Sequence, residues 1–221
     1  LPLALAVGAG ANARHSIASA VVGPMQLFGI DAPANLYADI PLADTPVLRR
    51  ANPAETVTQI VYEVPRHLKN PLLLHLLTDS AFNTVLVFAK MKHGADRIAK
   101  YLERYGVKTA TLHSNRSQNQ RLRALADFKS GAVRVLVATD IAARGIDVDG
   151  ISHVVNFDFP MHSEDYVHRI GRTGRALAIG DAISFVTSED QGALRSLDRF
   201  IGRGLVRKRA DGFDYNAAPP P

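Results

Sequence analysis

The apolar and polar positions of this chain fall into two unlike regimes that meet near residue 51. From Glu55 onward, short apolar runs rich in β-branched residues alternate with longer amphipathic stretches. Residues 56–64, TVTQIVYEV, alternate like a half-buried strand. Pro71 suits a helix start, and Leu72, Leu73, Leu74, Leu76 and Leu77 follow it. Residues 84–89 read as a buried strand. A helix is expected over 91–105, with Ile98 and Leu102 on one face and Gly106 as its stop. The alternation continues with a strand over 107–112, a helix over 117–129 that stops near Gly131, and a strand over 133–138 apolar on both faces. A strand over 153–157, a helix around 163–171, a strand over 182–186 and a helix over 190–201 complete the series. Repeated βα units with near-continuous apolar strands predict an α/β fold, a parallel sheet flanked by helices on both faces. In such sheets ligands gather beyond the carboxyl ends of the strands, so chemistry is sought there.

The first fifty residues follow neither pattern. They hold eleven Ala, five Pro and only six charged side chains, and no function is assigned to them. The apolar run at residues 1–7 lacks the basic flank of a signal peptide and is too short to span a membrane. No later run is both apolar and as long, so a soluble, cytoplasmic protein with no membrane partner is expected. The expected organisation is an Ala-rich lead-in over 1–50, one domain over 51–202, and a basic, then Pro-ended tail over 203–221. Within that tail, Arg203–Arg209 reads equally well as an RNA-contacting extension or a solvated end.

Composition narrows the chemistry. The absence of cysteine excludes a disulfide framework, a thiolate zinc site and a cysteine nucleophile, and it suits a reducing compartment. The net charge of +5 fits a polyanionic partner without requiring one. Residues 1–50 carry three Arg against three Asp, so the whole excess sits in the remainder.

Three strand ends carry unusual polar sequences. Thr139-Asp-Ile-Ala-Ala-Arg-Gly-Ile-Asp147 follows one strand directly; Thr139 and Asp140 suit the cap of a short helix. Gly145 lets a backbone N–H approach a phosphate, Arg144 adds a bidentate donor, and Asp147 must face something other than phosphate, such as a ribose hydroxyl. His168, Arg169, Arg172 and Arg175 put four potential cations within Tyr166–Arg175. With Gly171 and Gly174 inside a helix, which weaken it by about 1 kcal/mol each, they favour a site where an anion draws the arginines together over a plain solvated basic face. His113–Arg121 turns through small polar residues into a helix at about Ser117, which suits either an ordinary cap or a phosphate at the helix N-terminus.

Together these segments resemble the second RecA-like domain of the DEAD-box RNA helicases of superfamily 2, over roughly residues 52–200. Leu86-Val-Phe-Ala-Lys90 looks like motif IV, and Thr111–Arg121, with Gln118 and Arg121, like the motif that follows it. Val135–Val148 matches motif V and Tyr166–Arg175 motif VI, all in the family's order. The wording of Ser114–Arg121 and of residues 56–62 is most similar to the bacterial RhlE-type branch. The resemblance implies a RecA-like, P-loop NTPase-like fold and an ATP-dependent RNA helicase. It implies that Arg172 and Arg175 act as catalytic arginine fingers on ATP, that Asp147 accepts from the ribose, and that Phe88 packs beneath the arginines in the cofactor site. His168 and Arg169 would couple two domains. Lys90, Ser114, Gln118, Arg121, Thr139, Arg144 and Gly145 would hold an RNA sugar-phosphate backbone, and no protein metal site is implied.

The chain contains no Gly-x-x-x-x-Gly-Lys-Thr phosphate loop, no Asp-Glu-Ala-Asp and no Ser-Ala-Thr. In the family these belong to an N-terminal RecA-like domain, which would hold most of the ATP and its Mg. A fragment or an incomplete gene product, inactive alone, is therefore expected, and a monomer. Two other readings stand beside it: a non-enzymatic RNA-binding or docking module, and a DNA-directed relative.

Overall fold

The computed structural model describes residues 57–144, 146, 148, 150–174 and 180–219. Among them are seven strands, β1 (Val57–Glu63), β2 (Val85–Phe88), β3 (Thr109–Leu112), β4 (Val135–Ala138), β5 (His153–Asn156), β6 (Gly180–Val186) and β7 (Val206–Lys208). Six α-helices intervene, α1 (Lys69–Leu76), α2 (Lys92–Arg104), α3 (Gln118–Lys129), α4 (Asp140–Ala143), α5 (Ser163–Ile170) and α6 (Gln191–Ile201). All strand pairs are parallel, in the order β3-β4-β2-β5-β6-β1-β7. The α/β sheet with helices on both faces is as the hydrophobic pattern predicts.

Period-two alternation divides the apolar side chains between two faces. Val85, Val87, Val135, Val137, Val155, Ile183 and Phe185 point to the first face, where α1 and α2 add Leu72, Leu73, Ile98 and Leu102 to one continuous core. Leu86, Phe88, Leu136 and Val154 point to the second face and pack with Ala124 and Phe128 of α3 and with α4. Val57, Val61, Ala182 and Val186 form a separate core there with Tyr166, Ile170, Leu194 and Leu197 of α5 and α6.

Between those two second-face cores runs a buried polar seam. Tyr166 donates its phenol to Gln59 at 2.9 Å, Asn156 donates to Ser184 at 3.0 Å, and Arg169 donates to Asn156 at 3.1 Å. Burial pushes the Tyr166 phenol well above its ordinary value, so it stays a neutral donor. A polar network held this way adds direction to packing that apolar contacts leave loose.

Helix ends follow the sequence closely. Gly106 ends α2 at φ +78°, and Ser117 caps α3 in a reciprocal box with Gln120. Two segments depart from expectation. α5 stops at Ile170, so Gly171 caps it and Gly174 lies beyond it at φ +68°, and neither glycine weakens a helix interior. Thr173 sends its hydroxyl to the carbonyl of Ile151, which draws the turn down against the sheet. Gly180 allows that approach, since a Cβ there would overlap the Thr173 hydroxyl and the Gly174 amide.

The basic segment after residue 202 also does more than trail away. Leu205 is buried, and Val206–Lys208 pairs with β1 as an exposed edge strand. Farther on, Phe213 and Tyr215 pack against the first-face core, and His75 and His67 bond to the carbonyls of Asp211 and Ala217, both at 2.9 Å. Among the described residues, no helix is long and apolar enough to cross a membrane.

Candidate functional site

Register fixes what lies at the carboxyl edge of the sheet. Leu112, Ala138, Phe88 and Asn156 stand level across β3, β4, β2 and β5. The residues that follow, Ser114, Thr139, Lys90 and Asp158, therefore emerge side by side. Between α4 and α5 this edge opens into a cleft of about 260 Å³, lined by Phe88, Asp140, Ala143, Arg144, Asp165, His168, Arg169 and Arg172.

Arg169 is the fixed part of the cleft. Its side chain is 5% exposed and makes four hydrogen bonds. Nε and Nη2 donate to the two carboxylate oxygens of Asp140 at 2.6 and 2.8 Å, and Nη1 donates to Asn156 and to the Asp158 carbonyl at 2.7 Å. Its guanidinium lies over the Phe88 ring, 5.0 Å from the centroid. The arginine above Phe88 is thus Arg169. The anion that draws Arg169 in, however, is the carboxylate of Asp140. That residue does not cap α4, and no side-chain cap bond forms from Thr139 either. Asp158 joins the group from the other side, accepting from the Lys90 amide at 2.8 Å and facing Lys69 Nζ at 3.7 Å.

Arg172 sits one turn on, half-buried, with Nη1 donating to the Ile146 carbonyl at 3.1 Å. His168 and Arg144 are exposed at the rim. Asp165 faces the same space, so among the described residues the cleft holds Arg144, His168 and Arg172 around one carboxylate that is not already clamped by Arg169. Such an imbalance favours an anionic ligand. Arg175, Asp147 and Gly145 lie outside the described residues.

The other predicted residues gather at the β3-β4-β2 end of the same edge. Lys90, Ser114 and Gln118 are exposed there and Thr139 is partly exposed. Arg121 reaches across to the Ala142 carbonyl at 3.4 Å, which ties α3 to α4, and Arg144 borders the cleft. The loop carrying Ser114 is held from below: Lys92 Nζ donates to Asn115 at 3.0 Å, while His113 and Arg116 both bond Asp96 at 2.9 Å. Burial acts to raise the Asp96 carboxyl, but the His113 hydrogen bond and the charges of His113, Arg116 and Lys100 outweigh it and leave it below its ordinary value.

Sequence reasoning missed Asp140 as the clamp, and Asn156 and Asp158 as its supports. One signal pointed to them: a buried arginine needs a carboxylate, and Asp140 begins a helix at a neighbouring strand end. No group of three or more acidic or histidine side chains that could hold a metal occurs among the described residues.

Comparison with known proteins agrees with this geometry. Residues 68–177 match the family described as helicase conserved C-terminal domain. The chain is 46% identical over 152 residues to the ATP-dependent RNA helicase RhlB of Pseudomonas syringae, covering 69% of this chain and 38% of that protein. It is 44% identical over 151 residues to the ATP-dependent RNA helicase vasa of Drosophila melanogaster, covering 68% of this chain and 22% of that protein. The chain thus spans well under half the length of these relatives. Among solved structures, the E. coli DEAD-box protein SrmB, bound to regulator of ribonuclease activity A, aligns with a TM-score of 0.68 and 34% identity, over 74% of this chain and 96% of that one. The C-terminal domain of the DEAD-box protein Dbp5 aligns with a TM-score of 0.64 and 30% identity, over 69% of this chain and 89% of that one. The parallel sheet, the cleft at its carboxyl edge and these matches place the chain in the family of DEAD-box ATP-dependent RNA helicases, as their C-terminal RecA-like domain.

Proposed function

We propose that this domain supplies one wall of an ATP site and half of an RNA-binding surface, and that it works when an N-terminal RecA-like domain closes against it. The observation that carries the reading is the pairing in one cleft of a fixed arginine with a second, accessible one. Arg169 is clamped by Asp140 and backed by Phe88, and Arg172 projects beside it, half-buried. A guanidinium held in advance stabilises the charge that develops on a transferring phosphoryl group without reorganising during the reaction.

On this reading Arg172 and Arg175 are the catalytic arginine fingers and Asp147 meets the ribose. Phe88 and Arg169 hold the floor, and His168 with Arg169 transmits domain closure. The γ-phosphate and Mg are held by the phosphate loop of the other domain. Lys90, Ser114, Gln118, Arg121, Thr139, Arg144 and Gly145 grip the RNA backbone, so binding is tolerant of sequence and weakened by salt. A monomer in the cytoplasm, inactive without its first domain, completes the proposal. The wording of Ser114–Arg121 favours an RhlE-type relative within the family. A lone domain that only binds RNA or docks to protein is the second reading, favoured by the exposed polar row at the β3-β4-β2 edge.

The test joins this chain to the first domain of a relative and substitutes Arg172→Ala. RNA-stimulated ATP hydrolysis should fall by at least about a thousandfold, with the unfolding midpoint unchanged. Undiminished turnover would remove Arg172 from the mechanism, and turnover by the unjoined chain would show that no second wall is needed.

A further inference from the structure

The outer face of α2 carries an arrangement that the cleft and the strand-end surface do not use. The helix buries Ala95, Ile98, Ala99 and Leu102 in the first-face core. On its opposite side stand His93, Arg97, Lys100 and Arg104, all exposed and all within roughly 60° of one another on the helix wheel. Successive members are three or four residues apart, so they form a single straight ridge of roughly 16 Å. The neighbouring pairs Arg97–Lys100 and Lys100–Arg104 are of like sign, which an isolated helix disfavours.

Two carboxylates, Asp96 and Glu103, flank the ridge on the same helix, and among the described residues neither forms an ion pair with it. Asp96 is already bonded by His113 and Arg116, though it feels the charge of Lys100, and Glu103 accepts from Thr109 at 3.0 Å. Arg97 and Arg104 make no hydrogen bond or ion pair with another described residue. Along one flank lie Tyr101 and Tyr105, with ring centroids 5.1 Å apart and Tyr105 61% exposed. The top of the ridge adjoins the strand-end surface, because Lys92, next to His93, bonds Asn115 in the loop that carries Ser114.

We infer that this ridge is a second RNA-binding track, along which a strand leaving the strand-end surface continues down α2, its phosphates on Arg97, Lys100 and Arg104 and a base against the tyrosines. Basic side chains that track a backbone, flanked by aromatic faces that take any base, are what single-stranded nucleic acid requires. Continuity with the row at Lys90 and Ser114 favours RNA over an acidic protein. The inference rests on the RNA-binding reading above.

The test measures binding of this chain to two uridine RNAs across a series of salt concentrations: a short one that spans only the strand-end surface, and one several times its length. The long RNA should bind more tightly and with a steeper salt dependence. The triple variant Arg97→Gln, Lys100→Gln, Arg104→Gln should reduce the slope of log affinity against log salt by about 2 for the long RNA, at about 0.7 per phosphate, and leave the short RNA unchanged. Tyr105→Ala should weaken the long RNA about tenfold. All four positions face solvent, and an unchanged unfolding midpoint confirms that the variants fold. Equal slopes for the variant and the unaltered chain on long RNA would overturn the track and point the ridge toward an acidic protein. Equal losses on both RNAs would overturn it too, since the charges would then act only through the general field. If neither RNA binds the unaltered chain, the RNA-binding reading itself falls.

Discussion

Two hollows in this sheet are built from similar parts and differ in what they are ready to do. The cleft at the carboxyl edge, of about 260 Å³, places Arg169 over Phe88 and against Asp140. The hollow on the first face, of about 410 Å³, reaches the amino ends of β5 and β6, where His153 stacks on Phe82 at 3.9 Å and faces Asp181 at 3.6 Å. Each has a nitrogen-bearing side chain on an aromatic ring beside an aspartate. In the larger hollow, Asp79, Asp181 and Asp211 stand beside Lys208 and Arg209, with His75 and His153 between them, so carboxylates outnumber the fixed cations. The smaller one ties up its best carboxylate on Arg169 and leaves cations facing the opening. Volume would favour the larger hollow, whereas the excess of cationic side chains among the described residues at the strand carboxyl ends favours the smaller one for an anion.

The largest effect should come from removing the clamp. Arg169→Ala leaves the Asp140 carboxylate, the Asn156 side-chain oxygen and the Asp158 carbonyl without their donor. Breaking a buried pair from one side costs about 3–5 kcal/mol, and the lower end is expected because Asp140 is 33% exposed. Chemical denaturation reads this directly, and Arg169→Lys should recover little, since a single ammonium cannot match a fork that meets both oxygens of Asp140. A loss below about 1 kcal/mol would mean that the clamp is not structural, and the contrast between the hollows would collapse.

How far this was readable from the sequence depends on the distance between cause and effect. The strands came out within about two residues because Val85–Phe88 and Val135–Ala138 are apolar on both faces, as parallel central strands must be. Gly106 and Gly131 marked helix ends for a local reason, their positive φ. β7 was invisible: its three residues are exposed, two of them are basic, and it is held by backbone pairing to β1 with Arg207 bridging Glu63 and Asp198. At the site, the positions of Lys90, Ser114 and Thr139 were legible because each lies within two residues of a strand end. The Asp140–Arg169 clamp was not, because the partners lie 29 positions apart and only the sheet order brings them together. That same distance misled the reading of Gly171 and Gly174, which serve a turn set by Thr173 and Ile151.

A smaller effect is expected at His153, and its sign follows from burial. Desolvation holds the imidazole below its ordinary value of 6.5, with Asp181 and Asp79 pulling the other way. The unfolded chain therefore takes up a proton near that pH while the folded chain resists it. The neutral ring's contribution to stability is complete above about pH 6.5 and is lost as pH falls through the folded value. His153→Gln should flatten the stability profile between about pH 7 and 5.5. A profile as steep as that of the unaltered chain would assign the acid sensitivity elsewhere.

The smallest effect should come from Asp181→Asn, and it separates the two hollows most sharply. At pH 7.5 the imidazole is neutral, the side chain of Asp181 is 37% exposed, and the contact at 3.6 Å is screened by solvent, so the loss should stay below about 1 kcal/mol. Below about pH 6.5 the substitution removes the charge that helps His153 accept a proton, so the folded value drops further and stability falls more steeply with acid. Differential scanning at pH 7.5 and pH 5.5 reads both halves. A large loss at pH 7.5 would make Asp181 a clamp in the manner of Asp140, and the amino-end hollow would then need a function of its own.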